Sequence, residues 1–477
     1  MTGRSDEKRV KAEKGKLMKA FKTLASAAIL LFLGACAVNP VTGEKEISII
    51  SESTEIQMGQ RNFGPYVQQF NALYQNDAIQ DYVEKIGTKL SQVSHRPNMP
   101  FEFAVVNSSI VNAWALPGGK IAVTRGLLSK MKTEAELAAV LGHEIGHVAA
   151  KHTVRRMQTA LLWSALLMTS DIILTRQSTH YREWRPLYTT AGMLGLQLGL
   201  ASYSRDQESQ SDGLGIEYMM KAGYHPEGMV GLQRILLDLD KQKSYITADL
   251  FRSHPHGYDR YTKAKEAVLK NRELINKRNF ITNEKEFSDI VSSVFQKEKP
   301  AYDAYDKATE LAGKGQWREA IAQYREAINL KPNEALFHAD LGNAFVMLFE
   351  DREADRELQK ASELYPDFFK PRFYAGRLYF LQKNFGNSLH HLEEADKLIP
   401  QVPIVRYMLA VCYQIMGNTN RAIGFYQEVY GSESAPDDIR QKSGEELIKL
   451  GVMKKPGEDD KDSEDQKGKK KYKYRKY

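Results

Sequence analysis

The chain has 477 residues, 42% hydrophobic and 27% charged, which is enough to fill more than one packed core and too apolar for a disordered chain. Its formal net charge of +7 sits at the two ends: residues 1–35 carry +5 and 454–477 carry +4, so the body is at −2 and has no nucleic-acid-binding footprint. With only Cys36 and Cys412 there is no disulfide framework, and stability must come from cores.

Residues 1–35 read as a lipoprotein signal peptide: a basic stretch ending in Lys19 and Lys22, then an apolar run from Leu24 to Leu33. Met18 is an alternative start within it. The run holds about ten residues, too few to span a bilayer. Leu33-Gly34-Ala35-Cys36 matches a bacterial lipobox, so Cys36 is the expected lipidated N-terminus, followed by a membrane tether over 36–55. Ala37 rather than Asp follows the cysteine, which for a Gram-negative source directs the expectation to the periplasmic face of the outer membrane.

Residues 56–270 read as one catalytic domain. The stretch 105–128 predicts a strand, a turn at Pro117-Gly118-Gly119 and a second strand, and an edge strand there suits an extended substrate held by β-addition. Thr133 to Arg156 then predicts a helix: Leu137, Val140, Leu141, Ile145 and Val148 recur at helical spacing without a proline. Within it His143, Glu144 and His147 spell H-E-x-x-H. Two histidines four apart leave one helical face and can grip one Zn²⁺, while Glu144 beside them can polarise a water at the metal and take its proton.

A catalytic zinc needs a third protein ligand. Ser204–Gly215 offers Glu208 and Asp212, four apart on a second helix: Glu208 is the expected third ligand and Asp212 a carboxylate orienting a ligand imidazole. The plain alternative is a pair of solvated helix carboxylates. Two apolar stretches, Ala160–Leu174 and Leu187–Tyr203, lie between the motif helices. Asp171, Gln197 and the glycines 192, 195 and 199 favour helices and a lid over the site, with membrane contact as the alternative.

Together HEIGHVAAKH, SRDQESQSDGLG, AGYHPEGM and SHPHGYDR resemble the HtpX-like and CAAX-prenyl-endopeptidase-like gluzincin zinc metallopeptidases, and among them the BepA-type periplasmic members with C-terminal tetratricopeptide repeats. The resemblance covers roughly 39–261, with Ser211 standing where the family usually has Ala. It implies zinc on His143, His147 and Glu208, catalysis by Glu144, and a substrate cleft bordered by Asn112, Ala113 and Trp114, although Trp114 equally suits plain core. It further implies His254 as a reversible fourth ligand that holds the enzyme idle, and Arg260, six residues on, as a stabiliser of the oxyanion. His152, His225 and His256 are expected to be surface or structural residues.

Residues 271–300 are charged, without a sustained periodicity after Phe280, and read as a linker. Pro332, Pro366 and Pro400 then recur every 34 residues, the tetratricopeptide period. Gly342 and Gly376, and the small residues Ala320, Ala354, Ser388 and Ala422, fall in register where paired helices must approach. Four units starting near Ala301, Ala335, Phe369 and Pro403 are expected, with a capping helix over 437–452, so the repeat domain spans 301–453. The tail 454–477 reads as a solvated disordered end; contact with anionic lipid is the alternative.

The sequence thus predicts a mainly α chain, an α-rich gluzincin domain with a small β-sheet followed by an α-solenoid. The expected function is a lipid-anchored, one-zinc endopeptidase in outer-membrane protein quality control. Unfolded or misassembled proteins are its expected substrates, and the outer-membrane assembly machinery its expected partner through the repeat groove. A chaperone or scaffold whose protease site is normally off is the competing reading.

Overall fold

The structure is a computed structural model, and it describes residues 36–160, 202–242, 254 and 257–454. The expected leader, most of the two apolar stretches between 160 and 203, His256 and the tail beyond 454 lie outside the described residues. Contacts divide the chain into two units. One is drawn from the chain up to Ser288 apart from two short segments; those segments, Phe63–Gln75 and Val106–Ser109, join Asp289 onward in the other.

In the first unit β1 (Cys36–Val38) and β2 (Lys45–Ile47) form an antiparallel ribbon with Cys36 opposite Ile47. Helices α1 (Glu52–Gln69) and α2 (Asp77–Ser91) follow, then β3 (Glu102–Val106), β4 (Ala113–Leu116) and β5 (Lys120–Thr124), ordered β3-β5-β4 in one sheet. Strands β4 and β5 are antiparallel, Ala113 opposite Val123 and Leu116 opposite Lys120, so the expected strand, turn and strand are present. The turn works because Gly118 and Gly119 hold φ of +75° and +77°, which a Cβ would strain. Every residue of β4 and β5 is buried, so both faces of this sheet are covered.

The H-E-x-x-H helix is α3 (Glu134–Ala149), started by a capping box in which Thr133 and Glu136 satisfy each other's backbone. All of its residues but Glu136 are buried, so its neighbours must come close. Gly142 and Gly146 permit that approach on one side: a Cβ at Gly146 would lie 3.1 Å from Ser211 Cα, and one at Gly142 would lie 3.2 Å from Gly215 Cα. At the far end, buried Arg96 pairs with Glu55 at 2.8 and 2.9 Å and donates at 3.1 Å to the Val148 carbonyl, which also accepts from the Lys151 backbone at 3.1 Å.

The sequence predicts one helix through Arg156, but α3 ends at Ala149, Lys151 just beyond it has a φ of +55°, and α4 (152–160) starts afresh. Helices α5 (Arg205–Lys221), α6 (Glu227–Gln242) and α7 (Tyr258–Lys270) complete the unit's core. Gly228, at the start of α6, abuts the α3 backbone, and a Cβ there would sit 2.2 Å from Ala135 O. Backbone cannot swing aside, so Gly228→Ala is expected to destabilise the unit by about 2–3 kcal/mol. Thermal unfolding checks this, and an unchanged midpoint would contradict it.

The second unit is built by repetition. Helices α8 (Ser293–Gly313) and α9 (Trp317–Leu330), α10 (Ala335–Met347) and α11 (Asp351–Leu364), α12 (Phe369–Leu381) and α13 (Phe385–Leu398), and α14 (Pro403–Ile415) and α15 (Thr419–Tyr430) form four pairs, closed by α16 (Asp437–Lys449). Three of the expected unit starts coincide with helix starts, whereas α8 begins at Ser293, inside the charged stretch that reads as a linker. Small-residue packing repeats with the period: a Cβ at Gly342 would lie 2.7 Å from Leu358 Cγ, and one at Gly376 2.7 Å from Leu392 Cγ. The turn inside each pair also repeats, with positive φ at Gly315, Phe349, Lys383 and Gly417. Only the two glycines betray it in the sequence, since Phe and Lys adopt this conformation at a steric cost. No described helix is long and apolar enough to cross a membrane.

Candidate metal centre

Helix α3 supplies His143, Glu144 and His147 from one face, and the close approach allowed by Gly142 and Gly146 sets α5 across that face. Ser204 caps α5, with Gln207 bonding back to it, which fixes the first turn that carries Glu208. Asp212 sits one turn on. His254 is held beside them, and Arg260 enters from the first turn of α7.

One ligand atom from each of His143, His147, Glu208 and His254 falls within 4.8 Å of the others, and all four side chains are buried. His147 Nε2 stands 3.0 Å from His143 Nε2 and 3.3 Å from Glu208 Oε1. His254 Nδ1 lies 3.1 Å from Glu208 Oε1 and 3.4 Å from His143 Nε2. Asp212 Oδ1 meets His143 Nδ1 at 2.9 Å; because a carboxylate only accepts, that nitrogen carries the hydrogen and Nε2 turns a bare lone pair inward. Four of the contacts in this set, at 3.0, 3.1, 3.3 and 3.4 Å, are near the ~3.3 Å edge of a tetrahedron around an ion bonded at ~2.05 Å. The set of imidazoles and one carboxylate suits zinc.

The charges fit that reading. Burial would raise the Glu208 carboxyl, but His254, His143 and His147 outweigh it and hold it well below the carboxylate range. Burial holds His147 well below the ordinary histidine value, so its ring is neutral. Glu144 is the opposite case: burial raises its carboxyl despite His254 and His143, and its Oε2 has no hydrogen-bond partner among the described residues. It is a carboxylate primed to accept a proton, with an oxygen free to receive one. His254 Nε2 is 3.8 Å from Glu144 Oε1.

Arg260 makes three hydrogen bonds to carboxylates. Its Nε and Nη2 donate to Asp212 at 2.7 Å each, and its Nη1 donates to Glu208 at 2.6 Å. The oxyanion expectation did not include this occupation. Asn112, Ala113 and Trp114 are buried at the head of β4, the strand at one edge of the sheet. The Asn112 backbone is tied to the Thr124 side chain, while its Oδ1 lacks a partner among the described residues. Cys36 opens β1, and His225 is half-buried away from this cluster.

Two neighbours of the site, His152 and Tyr203, were not expected there from the sequence. His152, expected as a surface or structural residue, is 1% exposed, with Nδ1 2.9 Å from His147 Nδ1 and Nε2 2.9 Å from Gln210 Oε1. Burial pushes its imidazole down to about 4, so it too is neutral. Tyr203 stacks on the His147 ring with centroids 3.8 Å apart, donates to or accepts from Thr153 at 2.9 Å, and lies under the Arg156 guanidinium at 3.9 Å. On an unbroken helix a residue five beyond His147 would point elsewhere, so the turn at Lys151 is what folds His152 back.

Residues 77–268 match Peptidase family M48, and residues 309–348 match the TPR repeat family. The chain is 29% identical over 233 residues to a beta-barrel assembly-enhancing protease of Yersinia pestis, covering 45% of this chain and 44% of that one. It is 26% identical over 244 residues to the protein of that name in Escherichia coli K12, covering 50% and 48%. Metalloprotease YcaL of Escherichia coli K12 is 32% identical over 161 residues, covering 34% of this chain and 59% of that one. The aligned part of the chain spans about half the length of the two beta-barrel assembly-enhancing proteases.

Proposed function

We propose that this chain, with its Peptidase family M48 domain over 77–268, is a zinc-dependent endopeptidase that hydrolyses peptide bonds in unfolded or misassembled proteins. The observation that carries this is the convergence of His143, His147 and Glu208 on one point beside the unpartnered Glu144 oxygen. When bound there, zinc supplies Lewis-acid polarisation of the scissile carbonyl and of the attacking water. His143, His147 and Glu208 hold it, and Asp212 keeps the His143 lone pair turned inward. Glu144 takes a proton from the water as its oxygen adds to the carbonyl carbon, then delivers that proton to the departing amine nitrogen as the C–N bond breaks. Arg260 acts as a positioning residue, pinning Glu208 and Asp212.

The place of action belongs to the same reading. The lipobox at Cys36 and the names of the relatives support a lipid-anchored periplasmic protein of the outer membrane, engaged in outer-membrane protein assembly or quality control. The repeat unit then docks substrates or the assembly machinery. Metabolic lipid labelling lost in Cys36→Ala, together with membrane fractionation, tests the anchor.

His254 favours a resting state in which it fills the fourth position. On this reading His254→Ala keeps one zinc per chain and raises cleavage of an unfolded protein on the order of tenfold, as for an open form about a tenth populated. Cleavage at or below the wild-type rate would contradict the switch. If zinc stays bound but no Glu144-dependent cleavage occurs in either form, the scaffold reading takes its place.

A further inference from the structure

Among the described residues His147 makes no hydrogen bond to a carboxylate at its outer nitrogen, unlike His143, whose Nδ1 faces Asp212. In that place stands a second imidazole, with its Nδ1 2.9 Å from that of His147. We infer that His152, backed by Gln210, is the positioning residue that fixes the tautomer and ring direction of His147, so that the Nε2 lone pair of His147 always points into the metal centre. This rests on the reading of His147 as a metal ligand.

The hydrogens follow from the contacts. Two ring nitrogens facing each other at 2.9 Å hold one hydrogen between them, so one of the two Nδ1 atoms is bare. Gln210 Oε1, 2.9 Å from His152 Nε2, accepts, which puts the His152 hydrogen on Nε2 and leaves its Nδ1 bare. That bare Nδ1 stands 2.9 Å from His147 Nδ1, and two bare nitrogens would repel there, so His147 carries its hydrogen on Nδ1. Its Nε2 is therefore the lone pair, 3.0 Å from the bare His143 Nε2 and 3.3 Å from Glu208 Oε1, a convergence of acceptors that a bound cation would relieve.

A His147 that ligates through Nε2 must protonate Nδ1, which requires an acceptor at 2.9 Å, and the bare Nδ1 of His152 is that acceptor. Ser211 Oγ, 3.4 Å from the same atom, adds a second donor to it. Tyr203, stacked on the His147 ring, stops the ring from flipping out of this line. The fold builds the arrangement deliberately: the left-handed Lys151 lies just beyond α3, and α4 begins on His152.

The test compares zinc affinity, by competition with a chromophoric chelator, in the full chain and two variants. His152→Leu removes the acceptor and is expected to weaken zinc binding about 10–100-fold, the range for losing a partner behind a ligand. His152→Asn places an amide oxygen near the lost Nδ1 and should recover affinity to within about threefold. Equal affinity in wild type and His152→Leu would overturn the inference, as would failure of His152→Asn to recover it while unfolding at the wild-type temperature. A purely packing role predicts that Leu, not Asn, is the better replacement. Should neither variant fold, ¹⁵N-histidine correlation spectra of the wild-type chain decide. Hydrogens on Nδ1 of His147 and Nε2 of His152 support the inference, with or without zinc, and the reverse pair refutes it. No zinc binding by the wild type would sink the metal-site reading and this inference with it.

Discussion

Replacing Glu144 with Gln is expected to lower peptide cleavage by about 10²–10⁴-fold, the usual weight of a positioned general base, while zinc content stays at the wild-type level. Glutamine keeps the shape of the side chain but cannot take a proton. The carboxylate it replaces is 2% exposed, its Oε2 has no partner among the described residues, and burial raises its affinity for a proton. Because Glu144 lies outside the converging quartet of His143, His147, Glu208 and His254, the metal should be indifferent to the change. Progress curves on an unfolded protein, read beside zinc by mass spectrometry, check both halves. Cleavage at the wild-type rate would remove Glu144 from the chemistry; lost zinc would make it structural.

Arg260→Met is expected to cost about 3–5 kcal/mol of folding stability in the metal-free chain, because it strands two buried carboxylates that now share three charge-assisted hydrogen bonds. Glu208 is 0% exposed and Asp212 8% exposed, so water cannot take over. The pH dependence has a definite sign. Burial alone would raise the Asp212 carboxyl, but Arg260, followed by His143, outweighs it and holds it below its ordinary 3.8. A carboxyl depressed in the folded state contributes stability that is fully present above its unfolded value and lost as pH falls through the folded one. The gap between wild type and Arg260→Met should therefore be widest above about pH 4 and narrow below it. Urea unfolding at several pH values measures this. An Arg260 that served only the oxyanion would leave stability unchanged at every pH, and only the rate would fall.

The periodic parts of the molecule were legible because a repeat states its own geometry. The 34-residue spacing of Pro332, Pro366 and Pro400 placed helix starts at Ala335, Phe369 and Pro403, and H-E-x-x-H put two ring nitrogens on one face. Glu208 and Asp212 were legible from spacing and resemblance together. What escaped depends on single backbone choices and distant partners. A lysine in the left-handed region carries no sequence mark, so the break at Lys151 and the return of His152 were not visible. Phe349 and Lys383 hide the turns that Gly315 and Gly417 announce. Arg260 was expected at the oxyanion by resemblance, and its pairing with Asp212 and Glu208 escaped because these partners lie 48 and 52 positions earlier in the chain. Tyr203 closes an apolar stretch, and nothing local says that its ring stacks on His147.

The proposed chemistry depends on His143, His147 and Glu208 holding one zinc. The most direct measurement is zinc K-edge X-ray absorption on the full chain and on His147→Ala, with zinc counted per chain. The result it predicts is one zinc per chain in a shell of only nitrogen and oxygen at about 2.0–2.1 Å, with multiple-scattering features of at least two imidazoles, one of them lost in His147→Ala. Substoichiometric zinc in the wild type, or a shell that His147→Ala leaves unchanged, would contradict it.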